Sequence, residues 1–165
     1  PIDLTGQAAI DYFNEHNFVF LFAKLYHPAM KQVAPIRQAI GQPTIFNILG
    51  PLCNPAGAEY QLLGVRDEQL AKVMGETLIK LGSKHVVIVH SEDGLDEASI
   101  AVPTHVYDFK ENYFKTFTIT PKIRYPLSAI QVQSVEESAQ LITQPTPAAQ
   151  AAIDLNVQLA LQAYE

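Results

Sequence analysis

The chain has 165 residues, 48% of them hydrophobic and 17% charged, the composition of a globular domain able to bury about two thirds of its unfolded surface rather than of a disordered chain. Its formal net charge is −6, with eleven Lys and Arg scattered and not clustered. That balance argues against a duplex-binding surface, which needs grouped cations to displace counterions.

Taken in order, Thr5 is placed to cap a first helix whose Ala9, Ile10 and Phe13 share a face and which ends near residues 14–17. Phe18–Ala23 is a continuous apolar run, the mark of a strand covered on both faces. A helical segment follows, with Pro28 in its first turn, Pro35 expected to bend or split it, and Gly41 as its stop. At 100° per residue it would place His27, Met30, Ala34 and Arg37 within an arc of about 80°. Thr44–Leu49 reads as a second buried strand and Tyr60–Val65 as a third. Asp67 caps a helix over 68–81 with a stripe of Leu70, Val73, Met74, Leu78 and Leu81, and Gly82 ends it.

Val86–Val89 is the clearest strand, and strand, helix, strand within roughly 30 residues predicts a right-handed parallel crossover. Beyond the loop at 90–99, residues 104–109 and 113–120 alternate and predict an antiparallel hairpin with one wet face. Residues 121–134 carry no clear pattern. A short helix is expected over 135–142, and Thr146 and Pro147 open a last one with Ala148, Ala152, Leu155, Leu159 and Ala163 inward. The pattern predicts an α/β fold with a mixed sheet in a single domain over 1–165.

Four carboxylates crowd the loop from His90 to Glu97, directly after the clearest strand, and open α/β sheets bind ligands at such carboxyl ends. Like charges this close are either solvated, as in an ordinary acidic turn, or bridged by a hard divalent cation. Mg²⁺ suits one or two carboxylates together with substrate phosphates. Arg37 is either a surface arginine lying along apolar neighbours or a planar fork for a carboxylate. His27 is either a core-edge or capping histidine or a ligand contact. Gly50-Pro51 reads as a strand-ending turn. Cys53 reads as a small buried side chain and, as the one cysteine, excludes an internal disulfide and suits a reducing compartment. Asn47 and Asn54 carry no role that the sequence argues. No stretch reaches the roughly 20 apolar residues of a membrane span, and no signal-peptide pattern is present, so a cytoplasmic location is expected.

The words Leu25-Tyr26-His27-Pro28-Ala29-Met30, Ile36-Arg37, Phe46-Asn47-Ile48-Leu49-Gly50-Pro51 with Asn54-Pro55-Ala56, and Asp93-Gly94-Leu95-Asp96-Glu97 resemble the anthranilate phosphoribosyltransferase family of tryptophan biosynthesis. The resemblance covers nearly the whole chain and thins between 104 and 145. It implies the large α/β domain of that fold, with a mixed, mainly parallel sheet flanked by helices. It implies transfer of the phosphoribosyl group from phosphoribosyl pyrophosphate (PRPP) to anthranilate. In that family the matching Asp-Glu pair, here Asp96 and Glu97, holds magnesium on the pyrophosphate, leaving Glu92 and Asp93 as surface charges. The matching arginine, Arg37, binds the anthranilate carboxylate, with His27 beside the amine and Gly50 and Pro51 lining the acceptor pocket.

A homodimer is expected for the complete enzyme. Lys24, Cys53 and Ser91 stand where proline, Leu or Thr, and glycine are usual, and none of them is a carried-over residue. The family's glycine-rich diphosphate loop, its basic segment and its small N-terminal helical domain are not found in these residues. The chain opens without methionine and reads as a piece of something longer, by itself inactive. Two other readings stand beside this one: a pyrimidine nucleoside phosphorylase-like enzyme, whose own words are not found, and a non-catalytic nucleic-acid-binding paralogue.

Overall fold

The structure, a computed structural model, describes the chain apart from Pro43, Phe46 and Asn47 and apart from the side chains of Ala29, Met30, Lys31, Gln32, Ala34 and Arg37. It divides into two compact units, Pro1–Ala56 and Gly57–Glu165.

The second unit is built on a four-stranded sheet in the order β1-β2-β3-β4, with β1 Tyr60–Gly64, β2 His85–Ser91, β3 Thr104–Lys110 and β4 Tyr113–Ile119. The β1/β2 pairing is parallel and the other two are antiparallel. The sheet is therefore mixed as expected, but parallel pairing is the minority among the described residues.

The parallel pair is joined by α5, Glu68–Lys80. Asp67 caps it, its Oδ1 accepting from the Gln69 amide at 2.9 Å. At the other end Gly82, at φ +104, lets the Ser83 amide reach the Leu78 carbonyl and its own amide the Ile79 carbonyl, both at 3.0 Å. That is the two-bond closure a glycine past a helix end permits. The buried face of α5 is Ala71, Met74, Gly75 and Leu78, while Val73 and Leu81 of the expected stripe are exposed. Helix α5 packs on β2 and β3 so closely that a Cβ at Gly75 would overlap the Phe109 ring. The other face of the sheet is covered by α7, Pro147–Tyr164, whose Leu159 and Ala163 join Val87, Val89, Ala98 and Val106 in one cluster. Each buried Val or Leu there contributes on the order of 1.5–3 kcal/mol relative to exposure.

Strand β2 is thus sandwiched, which explains its unbroken Val-Val-Ile-Val run. Strand β3 is buried on both faces as well, and exposure is confined mainly to β4, the sheet edge. The expected hairpin is present, but its wet part is one strand and not one face. On the α7 side the sheet carries a buried polar chain: His85 Nε2 lies 2.8 Å from Asp108 Oδ1, and Gln162 Nε2 donates to Asp108 Oδ2 at 2.9 Å. On the α5 side the Tyr107 hydroxyl donates to Glu68 at 2.7 Å. Burial, then that bond, holds the Tyr107 phenol well above the ordinary tyrosine range. A 3-10 turn at Leu127–Ala129 and α6, Val135–Thr143, link β4 to α7.

The first unit holds α1 Gly6–His16, α2 Ala23–Tyr26, α3 Ala29–Ile40 and α4 Leu49–Leu52. Thr5 precedes α1 without a side-chain capping bond, and Ile10 and Phe13 are exposed, so only Ala9 of the expected face is buried. Neither predicted strand forms among the described residues. Residues 18–22 make no ladder and Ala23 already begins α2; the Ile48 amide turns back to the Ile45 carbonyl at 3.1 Å and Leu49 opens α4. Phe46 and Asn47, in the middle of the second predicted strand, lie outside the described residues. A strand exists only through a paired neighbour, and no strand among the described residues of this unit supplies one. Phe18, Phe20 and Ile45 are accordingly exposed. Helix α3 runs unbroken past Pro35, so the missing amide removes a bond without splitting the helix, and Gly41, at φ +64, follows its end. Cys53, expected buried, is exposed at the end of α4. Asn54 closes a local turn, its Oδ1 accepting from the Ala56 amide at 3.0 Å.

Candidate active site

At the carboxyl ends of β1 and β2, beside the middle of α7, the second unit opens into a cavity of about 390 Å³. Leu62 and Gly64 of β1, Val89 of β2, and Ile153 and Asn156 of α7 line it, and so do both Asp96 and Glu97. The predicted acidic pair thus stands on a cavity wall, and both residues are exposed. Its surroundings follow from the chain's turn at Ser91. The Gly94 amide returns to the Ser91 carbonyl at 2.8 Å with Gly94 at φ +81, a conformation that favours glycine.

The loop is held from within. Ser91, fully buried, donates its hydroxyl to the Glu97 carbonyl at 2.6 Å and lies 2.7 Å from Thr104 Oγ1; both hydroxyl oxygens also accept from the Ser99 amide. Asp93 is no idle surface charge: its carboxylate accepts from the Ser99 hydroxyl at 2.8 Å and the Leu95 amide at 3.2 Å. Glu92 lies 3.6 Å from His105 Nε2.

Residues outside the loop reach it from β1, from α7 and from the turn after β1. Asn156 pairs with the Ala98 backbone, and Gly64 lies directly against the Asp96 carbonyl, where a Cβ would fall inside it. Arg66 Nε lies 3.9 Å from Asp96 Oδ2 with both side chains exposed, a pair of little energetic weight. Adjacent exposed carboxylates on a cavity wall are an oxygen donor set that fits a hard divalent ion. Among the described residues no group of three or more His, Cys, Asp or Glu is gathered for a metal. These two carboxylates are therefore suited to share an ion with water and phosphate rather than to cage it.

The other predicted residues belong to the first unit. His27 is half-buried between α2 and α3, at φ −122 and ψ 70, so it leaves the helical arc on which it was expected. Arg37 lies on α3; its side chain is outside the described residues. Gly50 and Pro51 sit in α4 rather than in a strand-ending turn, and Gly50 has open space where a Cβ would stand.

A mixed sheet covered by helices, with a cavity at the carboxyl ends of its parallel strands, defines an α/β domain. A family profile described as glycosyl transferase family, α/β domain, matches residues 1–164, and the chain belongs to that family. Its relatives share one name. The chain is 45% identical over 148 residues to anthranilate phosphoribosyltransferase from Halalkalibacterium halodurans, covering 87% of this chain and 43% of the relative. It is 52% identical over 130 residues to the enzyme of that name from Shouchella clausii, covering 76% and 38%. Among solved structures, anthranilate phosphoribosyltransferase from Saccharomyces cerevisiae in complex with PRPP and Mg matches 98% of this chain and 48% of its own, with a TM-score of 0.79 and 26% identity. The chain spans less than half the length of these relatives. Among the described residues no helix is long and apolar enough to cross a membrane.

Proposed function

We propose that this chain supplies the metal-binding and acceptor-binding part of an anthranilate phosphoribosyltransferase acting in the cytoplasm. The observation that carries the reading is the placement of Asp96 and Glu97 together on the wall of a carboxyl-end cavity, in a chain whose relatives bear that name. In the reaction the amine nitrogen of anthranilate bonds to ribose C1, the bond from C1 to the pyrophosphate oxygen breaks, and the amine proton passes to water. An aromatic amine needs little activation, so orientation and charge neutralisation carry the rate.

Asp96 and Glu97 would hold Mg²⁺, which when bound neutralises the pyrophosphate leaving group. Ser91 and Asn156 hold the backbone that carries the pair, and Gly64 leaves the room it occupies. Arg37 takes the acceptor carboxylate through its planar fork. His27, Gly50 and Pro51 form the remaining acceptor contacts, as the family resemblance implies. The homodimer belongs to the same reading, and sedimentation of the full-length protein tests it.

The direct test is turnover by the full-length protein. Anthranilate consumption that requires both PRPP and magnesium is expected; consumption without PRPP, or none with every component present, overturns the reading.

A further inference from the structure

The groups that hold the acidic pair at the cavity are distinct from the pair itself, and one of them comes from the other end of the second unit. Asn156 on α7 donates from Nδ2 to the Ala98 carbonyl at 3.2 Å and to the Ala152 carbonyl at 3.0 Å, while its Oδ1 accepts from the Ala98 amide at 3.0 Å. The side-chain amide therefore pairs with both the N–H and the C=O of the residue after Glu97. Both of its hydrogens and its oxygen are engaged, so Asn156 has no donor left for a ligand although it lines the cavity. Ser91 fixes the preceding carbonyl, that of Glu97, at 2.6 Å, and Gly64 lies against that of Asp96. Three successive residues are pinned by their backbones while the two carboxylates stay exposed.

We propose that Asn156 is a positioning residue for the Asp96–Glu97 pair. By holding the Ala98 peptide it fixes how the two carboxylates enter the cavity, and so sets how tightly a divalent cation is held there. The inference rests on the reading of that pair as the magnesium site. Two carboxylates contribute little of a six-coordinate shell, so their affinity depends on being oriented beforehand. Supporting groups of this kind typically change metal affinity by about 10- to 100-fold when removed. A residue that merely fastened α7 to the loop would lower stability and leave metal affinity unchanged.

The experiment compares the full-length protein with its Asn156→Ala, Asn156→Gln and Asp96→Asn variants. Binding of Mn²⁺ in the presence of inorganic pyrophosphate is read from the loss of the free-ion paramagnetic resonance signal, beside the melting temperature and the KM for anthranilate. Asp96→Asn is expected to weaken Mn²⁺ binding, and Asn156→Ala to weaken it about tenfold or more with the anthranilate KM unchanged. Asn156→Gln keeps an amide but displaces it by one methylene; it is expected to fold, to bind Mn²⁺ more weakly, and to stand in where the alanine variant does not fold. Parental Mn²⁺ binding in a folded Asn156 variant, alongside weakened binding in Asp96→Asn, overturns the inference and leaves the magnesium reading intact. Failure of both Asn156 variants to fold assigns the residue to structure and likewise overturns it. Parental binding in Asp96→Asn overturns the magnesium reading, and the inference with it.

Discussion

Gly64→Ala puts the smallest possible load on the link between the sheet and the acidic loop. A Cβ built at Gly64 stands 3.0 Å from the Asp96 Cα and nearer still to the Asp96 carbonyl, against an ordinary contact of about 3.5 Å. Backbone, and not a flexible side-chain tip, is what it meets, so either β1 or the loop must retreat by about 1 Å or more. Overpacking of this kind costs typically 1–3 kcal/mol, and β2, sandwiched between α5 and α7, resists moving with β1. The loop is the softer partner, so the strain is expected to appear as displacement of Asp96 and Glu97. A misplacement of about 1 Å at reacting groups can cost about 100-fold in rate. The assay is turnover against magnesium concentration in the full-length protein, beside a thermal melt. The expected result is a loss of turnover larger than the stability loss explains, with a raised magnesium requirement. Parental turnover and magnesium dependence in a folded Gly64→Ala protein would refute the argument that this contact sets the position of the pair.

Arg37→Ala in the full-length protein is expected to weaken use of anthranilate by about 10- to 150-fold, the value of a charged hydrogen bond of 1.5–3 kcal/mol, with the KM for PRPP nearly unchanged; equal damage to both substrates would count against an acceptor role. Tyr107, whose phenol burial holds above its ordinary range, binds its proton more tightly folded than unfolded. Its contribution is complete below about pH 10, the unfolded value, and is lost as pH rises toward the folded one. Tyr107→Phe should therefore flatten the alkaline loss of stability in a melt series, and an unchanged slope would contradict that. The 165 residues by themselves contain no glycine-rich diphosphate loop and are expected to melt cooperatively yet show no phosphoribosyl transfer; turnover near that of the full-length protein would place the diphosphate site within them.

Local chemistry made the second unit legible. Asp67, Gly82 and Thr146 mark helix ends by bonds to neighbours a few residues away, and each makes the bond expected or the closure it permits. The turn at Lys110–Tyr113, with Asn112 at φ +59, fixes the hairpin in the same way. The apolar runs of the first unit were misleading because a run reports a tendency to be buried but not the partner that buries it. Phe18–Ala23 satisfies every local condition for a strand except a neighbour to pair with among the described residues.

At the candidate site, the acidic loop could be found because carboxylates after a strong strand are a local pattern, and the family resemblance singled out Asp96 and Glu97 within it. Asn156 could not, since its partner Ala98 is 58 positions away. Its signal was an amide on the inward-facing side of α7, between Ala152 and Leu159. Gly64 carried a similar signal, an isolated glycine at a strand end that marks close backbone approach.

The most direct measurement is the magnesium dependence of phosphoribosyl transfer by the full-length protein with Asp96 and Glu97 both replaced by Ala. Two carboxylates that share an ion with pyrophosphate cannot be removed without loosening it. Turnover is therefore predicted to fall and the half-saturating magnesium concentration to rise by about tenfold or more, while the fold, set by the sheet and its two helices, melts as before. A folded double variant with an unchanged magnesium requirement would contradict the account.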